Sequence, residues 1–191
     1  MDLRTFLTQS PDLSGMVDEE TFTFDWTRKN LRKGAYLSQQ GQGEADEFIL
    51  LGGCLASSIC DQEGKEICVG MYVGPCVVTP NIARTRNGLS LVSITATTDV
   101  SIARLDSNLL SERMISSEPV RNWANGILRE ALGRKVEREW CLAALGGAER
   151  LNWFRKTYPD YENIFTHSLI ASFLGITPVT LSRLRSSERQ S

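Results

Sequence analysis

The chain has 191 residues, of which 41% are hydrophobic and 23% are charged. This balance is ordinary for a folded globular protein and excludes intrinsic disorder. The formal net charge of −2 also excludes a uniformly basic chain, so any nucleic-acid-binding surface must be local.

No apolar run approaches the ~18 residues that span a bilayer. The first segment, MDLRTFLTQSPDL, lacks the apolar core of a signal peptide. We therefore expect a cytoplasmic protein with no membrane partner.

The chain has five cysteines, and this odd number disfavours a disulfide framework. None of them forms a CxxC pair, which disfavours the usual zinc or iron–sulfur sites. They are Cys54, Cys60, Cys68, Cys76 and Cys141. We expect small buried side chains on strands. A redox-sensing thiol is the alternative.

Residues 20–105 are short apolar and β-branched runs broken by glycine, which predicts an antiparallel β-domain of the sandwich or jelly-roll type. The runs are EFILLGG (47–53), CLASSICDQEGKEICVGMYVG (54–74) and LSLVSITATTDVSIARL (89–105). Within the second run, the polar stretch 61–65 predicts a hairpin turn.

After Asp106 the residues favour helix, with a break at SSEP (116–119) and then one helix of about 25 residues. Pro119 suits the first turn of that helix. Two apolar stripes follow it: Leu128, Leu132, Val136 and Trp140, and on a neighbouring face Val120, Trp123, Ile127 and Ala131. Gly146 and Gly147 predict its end and a hinge.

One apolar stripe is enough for packing against the helix's own domain. The second therefore predicts an identical helix from another subunit, and hence a homodimer. We assign the dimer interface to Trp123, Ile127, Leu128, Ala131 and Leu132. A helix buried wholly within one subunit is the alternative.

The stretch HSLIASFLGITPVTLSRLRSS (167–187) has the pattern of a helix–turn–helix. Gly175 allows positive φ in the turn, Thr177 can cap the second helix, and Pro178 fits its first position. Residues 146–191 carry six cations and four anions, a net charge of +2. An αα-hairpin with solvated arginines is the competing interpretation.

We assign DNA contact to the positions of the second helix and its cap that can face outward. These are Thr177, Pro178, Val179, Thr180, Ser182, Arg183, Arg185 and Ser186. Helix N-terminal amides, hydroxyl groups and arginines bind phosphates, and arginine also reaches guanine edges.

The C-terminal motif resembles the DNA-binding domain of the Crp/Fnr family of bacterial transcription regulators. The matching residues are Glu149-Arg150, Pro159, Ile170-Ala171, Leu174 to Pro178, and Thr180 to Arg183. Upstream, KGAYLSQQGQGEADEFILLGGCL, DQEGKEICVGMYVGP and ITATTDVSIARLD are similar to the family's cyclic-nucleotide-binding-type β-roll.

The resemblance implies an α+β protein in three parts. Residues 1–106 form an antiparallel, jelly-roll-like sensory β-roll, residues 107–146 include the long dimerisation helix, and residues 147–191 form the helix–turn–helix domain. It further implies a homodimer on an inverted-repeat duplex, an effector of unknown identity, and RNA polymerase as a further partner. No C-terminal wing is expected after Arg185.

The chain departs from the nucleotide-binding members of the family at both polar anchors. Pro75 replaces the glutamate that follows Gly74 in the family, and Ser90 occupies the position of the arginine. An anion buried without a cation is costly, so we expect that cyclic AMP is not the ligand. The candidate pocket residues are Gly74, Arg84, Arg86 and Ser90; the two arginines could reach the pocket or lie in a solvated loop.

Haem and iron–sulfur cofactors are also not expected. The single histidine, His167, opens the DNA-binding hairpin rather than lying in the sensory half, and an N-terminal cysteine cluster is absent. At the reading helix, many relatives have glutamate where this chain has Val179, so the target sequence should differ.

Two rival functions remain. A protein-binding module could keep the fold without specific DNA binding. An enzyme is disfavoured, since the chain has one histidine and neither a Gly-rich phosphate loop nor a conspicuous catalytic constellation.

Overall fold

The computed structural model describes residues 1–13, 22, 23 and 25–188, the last by its backbone alone. An N-terminal β-domain is followed by two helices and a small helical domain. This α+β architecture is the predicted one. None of the described helices combines the length and the apolarity needed to cross a membrane.

The β-domain consists of two four-stranded antiparallel sheets and a short hairpin. The first sheet has the order β1 (Thr27–Leu31), β10 (Val100–Asp106), β3 (Asp46–Gly52), β6 (Cys76–Val77). The second has the order β2 (Tyr36–Ser38), β9 (Ser93–Ala96), β4 (Cys54–Cys60), β5 (Glu66–Val73), and β7 (Thr85–Arg86) pairs with β8 (Leu89–Ser90). One apolar core contains Phe48, Leu50, Leu55, Ile94 and Ile102 from both large sheets, as in a jelly-roll-like sandwich.

The predicted hairpin turn at 61–65 is confirmed. Cys60 pairs with Glu66 at the last position of the antiparallel β4–β5 ladder. The Asp61 carboxylate accepts from the backbone amides of Glu63 at 3.0 Å and Lys65 at 2.9 Å. Such side-chain bonds to the backbone stabilise a turn locally.

Two of the short helices among the described residues lie in parts of the chain where no helix was predicted. Helix α1 (Leu3–Thr8) is capped by Asp2 and buries Leu3 and Leu7. Helix α2 (Asn81–Arg84) lies between β6 and β7. Both have too few residues to show helical periodicity.

Helix α3 (Ser107–Ser116) and helix α4 (Glu118–Ala144, 27 residues) are separated at Ser117, as the SSEP motif predicted. Asp106 caps α3 by accepting from the amide of Asn108 at 2.8 Å. Pro119 occupies the first turn of α4, where its missing N–H leaves no hydrogen bond unmade.

The two apolar stripes of α4 have different environments. Val120, Trp123 and Ala131 are buried within the subunit, and Trp123 packs edge-on against Phe22 and Trp26. The other stripe remains exposed: the exposed fraction is 50% for Leu132, 63% for Val136 and 56% for Trp140.

This arrangement corrects part of the predicted dimer interface. Trp123 belongs to the core of its own subunit, Ile127 packs against that core, and Ala131 is also buried within the subunit. Leu128 is partly exposed and Leu132 is exposed. Periodicity identified both stripes but could not show which one the β-domain covers, since both are equally apolar.

The C-terminal domain comprises α5 (Gly147–Thr157), α6 (Tyr161–Ile164), α7 (His167–Phe173) and α8 (Pro178–Glu188). Its core is built from Leu151, Phe154, Phe165, Ile170, Leu174 and Leu181. The same cluster includes Cys68 and Met71 of β5, so the helical domain packs directly on the second sheet.

Candidate nucleic-acid interface

The turn between α7 and α8 is closed by backbone hydrogen bonds that glycine makes possible. The amide of Gly175 donates to Ser172 at 3.1 Å, and that of Ile176 donates to Ala171 at 3.0 Å. Gly175 has φ of +64°, a conformation that L side chains rarely adopt. The turn therefore depends on glycine at this position.

Helix α8 begins with the predicted cap. The Thr177 hydroxyl accepts from the amide of Thr180 at 3.1 Å and lies 2.9 Å from the Thr180 hydroxyl. Pro178 follows as the first helical residue. The cap stabilises the helix end that would be presented to a ligand.

The buried side of α8 is anchored by Leu181, which is fully buried against α7. The opposite side exposes Val179, Ser182, Arg183 and Ser186, a spacing of i, i+3, i+4 and i+7 that places them on one face. Thr177 and Pro178 are exposed at the start of the helix, and Thr180 is half-buried. We call this exposed row of α8 the reading face.

Arg183 and Arg185 differ in their surroundings. Arg183 is exposed, and no hydrogen bond or ion pair joins its side chain to the described part of the chain. Arg185 donates its Nε to Glu162 Oε1 at 2.8 Å and also contacts the His167 ring. Its side chain is only 15% exposed.

This placement corrects the prediction that Arg185 faces outward. Glu162 receives hydrogen bonds from both Arg155 and Arg185, which ties α5, α6 and α8 together. Burial alone would raise the pKa of Glu162, but these two arginines outweigh it and lower the pKa below its ordinary value. Arg185 therefore stabilises the domain, and Arg183 is the arginine that remains available.

Arg150, just after the predicted hinge, is a second arginine with a structural role. It is part of the motif that resembles the family, but the resemblance assigned it no role. Arg150 donates to the carbonyls of Leu142 and Leu145 at 2.9 Å and to that of Leu174 at 3.1 Å. It satisfies the last carbonyls of α4 and holds the turn of the helix–turn–helix beside them. Glu149 accepts from the amide of Gly146 at 2.8 Å.

The candidate ligand-pocket residues do not form a single open anion site. Ser90 is buried, and its hydroxyl donates to Val92 at 2.7 Å. Arg86 is exposed on β7, and Gly74 precedes Pro75 at the end of β5.

Arg84 lies neither in a solvated loop nor in an open pocket. It is 2% exposed, with its Nη1 atom 3.3 Å from Glu44 Oε2. Its Nε donates to Thr79 at 3.0 Å, and its guanidinium stacks over the Phe48 ring at 4.6 Å. This cation is therefore already paired with a carboxylate inside the subunit.

The five cysteines are all free. Cys54, Cys68 and Cys141 are buried, Cys76 is partly buried and Cys60 is exposed. Burial raises the pKa of Cys68 to about 11 and that of Cys76 to about 12, which keeps these thiols protonated and unreactive. Among the described residues, no cluster of three potential metal ligands occurs.

No protein-family model matches the chain, and no curated protein sequence matches it either. Solved structures do match its fold over most of its length. FixK2 from Bradyrhizobium japonicum has a TM-score of 0.73 at 16% identity, covering 86% of this chain and 85% of that one. The c-di-GMP-responsive global regulator CLP of Xanthomonas campestris has a TM-score of 0.70 at 12% identity, covering 90% of both chains.

A transcriptional regulator of the Crp/Fnr family from Eubacterium rectale matches with a TM-score of 0.68 at 16% identity, covering 92% of this chain and 84% of that one. The solved structures that share this fold thus include transcription regulators of the Crp/Fnr type. The predicted resemblance is confirmed at the level of the fold.

Proposed function

We propose that this chain is a homodimeric, sequence-specific DNA-binding transcription regulator of the Crp/Fnr type that does not respond to cyclic AMP. The observation that carries the proposal is the reading face of α8. It combines an exposed arginine that pairs with none of the described residues, a capped N-terminus and small hydroxyl side chains on one exposed row.

These groups suit a major groove. The exposed guanidinium of Arg183 can donate two hydrogen bonds to a guanine edge or to a phosphate, and the serines can contact either. Val179 is 60% exposed and can contact only an apolar group such as the thymine methyl. The target should therefore carry thymine where glutamate-bearing relatives select another base.

Dimerisation is supported by the exposed stripe of α4. Leu132, Val136 and Trp140 present large apolar side chains on one helix face, with more than half of each of the last two exposed. A second copy of the same helix would cover them by coiled-coil packing. A two-fold dimer presents two copies of α8 to an inverted repeat.

The residues near the β-roll that could pair with a nucleotide phosphate support independence from cyclic AMP. Arg84 is paired with Glu44, and Ser90 replaces the arginine expected by resemblance. A nucleotide phosphate could pair with Arg84 only by breaking the buried contacts of that arginine. Breaking them would cost more free energy than the new contact would return. His167, which contacts Arg185 in the helical domain, is likewise poorly placed for a haem held by the β-roll.

The proposal is tested by the salt dependence of binding to a duplex that the protein selects. Binding measured by fluorescence anisotropy should weaken steeply as salt rises from about 50 mM to about 200 mM, because several phosphate contacts release counterions. A partner-binding module that has lost DNA recognition would show no saturable binding to any duplex at the low-salt end.

A further inference from the structure

The junction between α4 and the helical domain is short and sets no direction by itself. Helix α4 ends at Ala144, and α5 begins at Gly147. The two residues between them, Leu145 and Gly146, have extended backbone with φ of −104° and −75°, a conformation open to most residues. Contacts outside the junction must therefore fix the direction in which the helix–turn–helix leaves α4.

Arg150 of α5 supplies such contacts with all three nitrogen atoms of its guanidinium. Its Nε donates to the carbonyl of Leu145 and its Nη2 to that of Leu142, both at 2.9 Å. Its Nη1 donates to the carbonyl of Leu174 at 3.1 Å, beside the turn of the helix–turn–helix. One planar group thus spans the junction and joins the end of α4 to the turn before α8.

The end of α4 needs a group of this kind. The last four carbonyls of an α-helix have no partner within the helix, and Leu142 lies among those of α4. Helix α4 has no basic residue in its last turn. Arg150 therefore supplies both the missing donors and the positive charge that a helix C-terminus favours.

The helical domain also packs closely against the junction. The turn approaches Arg150 where it has no side chain, since a Cβ atom at Gly175 would lie 3.2 Å from Arg150 Nη1. A Cβ atom at Gly147 would lie 3.7 Å from the side chains of both Ile176 and Leu184. The first residue of α5 thus lies directly against the turn and α8.

The end of α7 is held at three consecutive residues. The Ser172 hydroxyl accepts from the amide of Cys68 at 2.9 Å. The carbonyl of Phe173 accepts from Arg138 Nη2 at 3.0 Å, and that of Leu174 from Arg150. Arg138 belongs to α4 and Arg150 binds its last carbonyls, so two of the three contacts lead back to α4.

We propose that Arg150 is a positioning residue that fixes the direction of the helix–turn–helix relative to α4 and thereby sets the spacing of the two DNA half-sites. The spacing rests on the proposed function, in which α4 holds a two-fold dimer. One added base pair moves a half-site by about 3.4 Å and turns it by about 35°. A rigidly held pair of α8 helices therefore accepts one spacing, and a loosely held pair accepts several.

The first measurement uses the full chain without DNA, so it tests the positioning role whether or not the chain is a regulator. Hydrogen–deuterium exchange compares the unaltered chain with Arg150→Gln. The amides of Leu145 and Ile176, which donate to Cys141 and Ala171, should exchange at least about tenfold faster in the variant. Amides of the β4–β5 ladder should exchange at unchanged rates. Unchanged exchange at Leu145 and Ile176 would overturn the proposal.

The second measurement tests the spacing. Fluorescence anisotropy compares the selected inverted repeat with duplexes whose central spacer is one base pair longer or shorter. The unaltered chain should bind the selected spacing at least about tenfold more tightly than either altered spacing, and Arg150→Gln should reduce this ratio to about threefold or less. Simple destabilisation would weaken binding to all three duplexes equally. An unchanged ratio would therefore refute the spacing role.

Failure of the proposed function gives a different result from failure of the positioning role. If the unaltered chain binds no duplex, the proposed function is refuted, and the spacing role with it. The exchange rates at Leu145 and Ile176 then still decide whether Arg150 holds the helix–turn–helix against α4.

Two further variants complete the test. Arg150→Lys keeps the charge if Arg150→Gln does not fold, but one ammonium group cannot replace the planar fork, so the spacing ratio should fall at least about twofold. Glu162→Gln is the matched control, because Glu162 binds Arg155 and Arg185 within the helical domain. It should keep the spacing ratio of the unaltered chain. An equal fall in Glu162→Gln and Arg150→Gln would overturn the proposal.

Discussion

The Nε atom of Arg185 lies 2.8 Å from Oε1 of Glu162, a residue 23 positions earlier in the chain. Arg183, two residues before Arg185 on the same helix, extends into solvent. The two arginines of the sequence LSRLRSS therefore have separate tasks: one stabilises the domain and the other is available to a ligand.

Replacing the free arginine should affect DNA binding without affecting folding. Arg183→Ala is expected to weaken binding to a selected duplex by about 1–3 kcal/mol for each half-site, roughly five- to 150-fold, because each subunit loses one bidentate contact. Fluorescence anisotropy measures the affinity, and the melting temperature and dimer mass should not change. Arg86→Ala, an exposed arginine on β7, is the control, and an Arg183→Ala affinity equal to that of this control would remove Arg183 from the reading face.

The Glu162 carboxylate should make the domain acid-sensitive. Its pKa in the folded state is below the ordinary value of 4.5, so its ionised form stabilises the folded state above that pH. This contribution is lost as the pH falls through the lower folded-state pKa.

Glu162→Gln is expected to lower the free energy of unfolding by about 1–2 kcal/mol at neutral pH. As the pH falls from about 6 to about 3, this variant should lose less stability than the unaltered chain. Urea denaturation at a series of pH values measures both effects. Glu63→Gln, which alters an exposed carboxylate in the β4–β5 turn, should retain the pH dependence of the unaltered chain. Parallel pH profiles for Glu162→Gln and the unaltered chain would refute the role of this cluster.

The turn of the helix–turn–helix should not tolerate a side chain. A Cβ atom at Gly175 would lie 3.2 Å from Arg150 Nη1 and 3.3 Å from Leu142 Cδ2, in addition to the positive φ. Gly175→Ala is therefore expected to destabilise the protein by about 1–2 kcal/mol.

Gly126→Ala provides the contrast, because that glycine lies within α4 with open space around its Cβ position. It should stabilise the helix by up to about 1 kcal/mol. Chemical denaturation measures both variants. Equal effects of the two alanines would show that the turn does not require glycine.

A charge on the exposed stripe of α4 should separate the subunits. Val136→Asp is expected to raise the dimer dissociation constant at least roughly tenfold, since it would bury an unpaired carboxylate between two helices. Each monomer should remain folded, because Val136 makes little contact within its own subunit. Ile115→Asp, a change at an 82% exposed residue of α3, should leave the dimer intact. Sedimentation equilibrium distinguishes these outcomes, and an unchanged dissociation constant for Val136→Asp would exclude this stripe as the interface.

The features that the sequence predicts well depend on neighbours in the chain. Gly175, Thr177 and Pro178 specify the turn through backbone conformation and capping, which are local properties. The hairpin at 61–65 depends on the same kind of local chemistry. These elements occur in the structure as predicted.

The features that sequence analysis missed depend on contacts between distant segments. The periodicity of α4 could not show that Trp123 would be covered by Phe22 and Trp26 while Val136 would not. Arg185 has an outward-facing spacing, but Glu162 captures it from another helix.

The central claim is that the reading face of α8 recognises a specific DNA sequence, and duplex selection from a random pool tests it most directly. The purified chain and its Arg183→Ala variant are used in parallel, with no ligand added. We predict that the unaltered chain enriches an inverted repeat whose half-sites lie about one helical turn apart, and that Arg183→Ala does not. If neither protein enriches any sequence over the starting pool, the claim is contradicted.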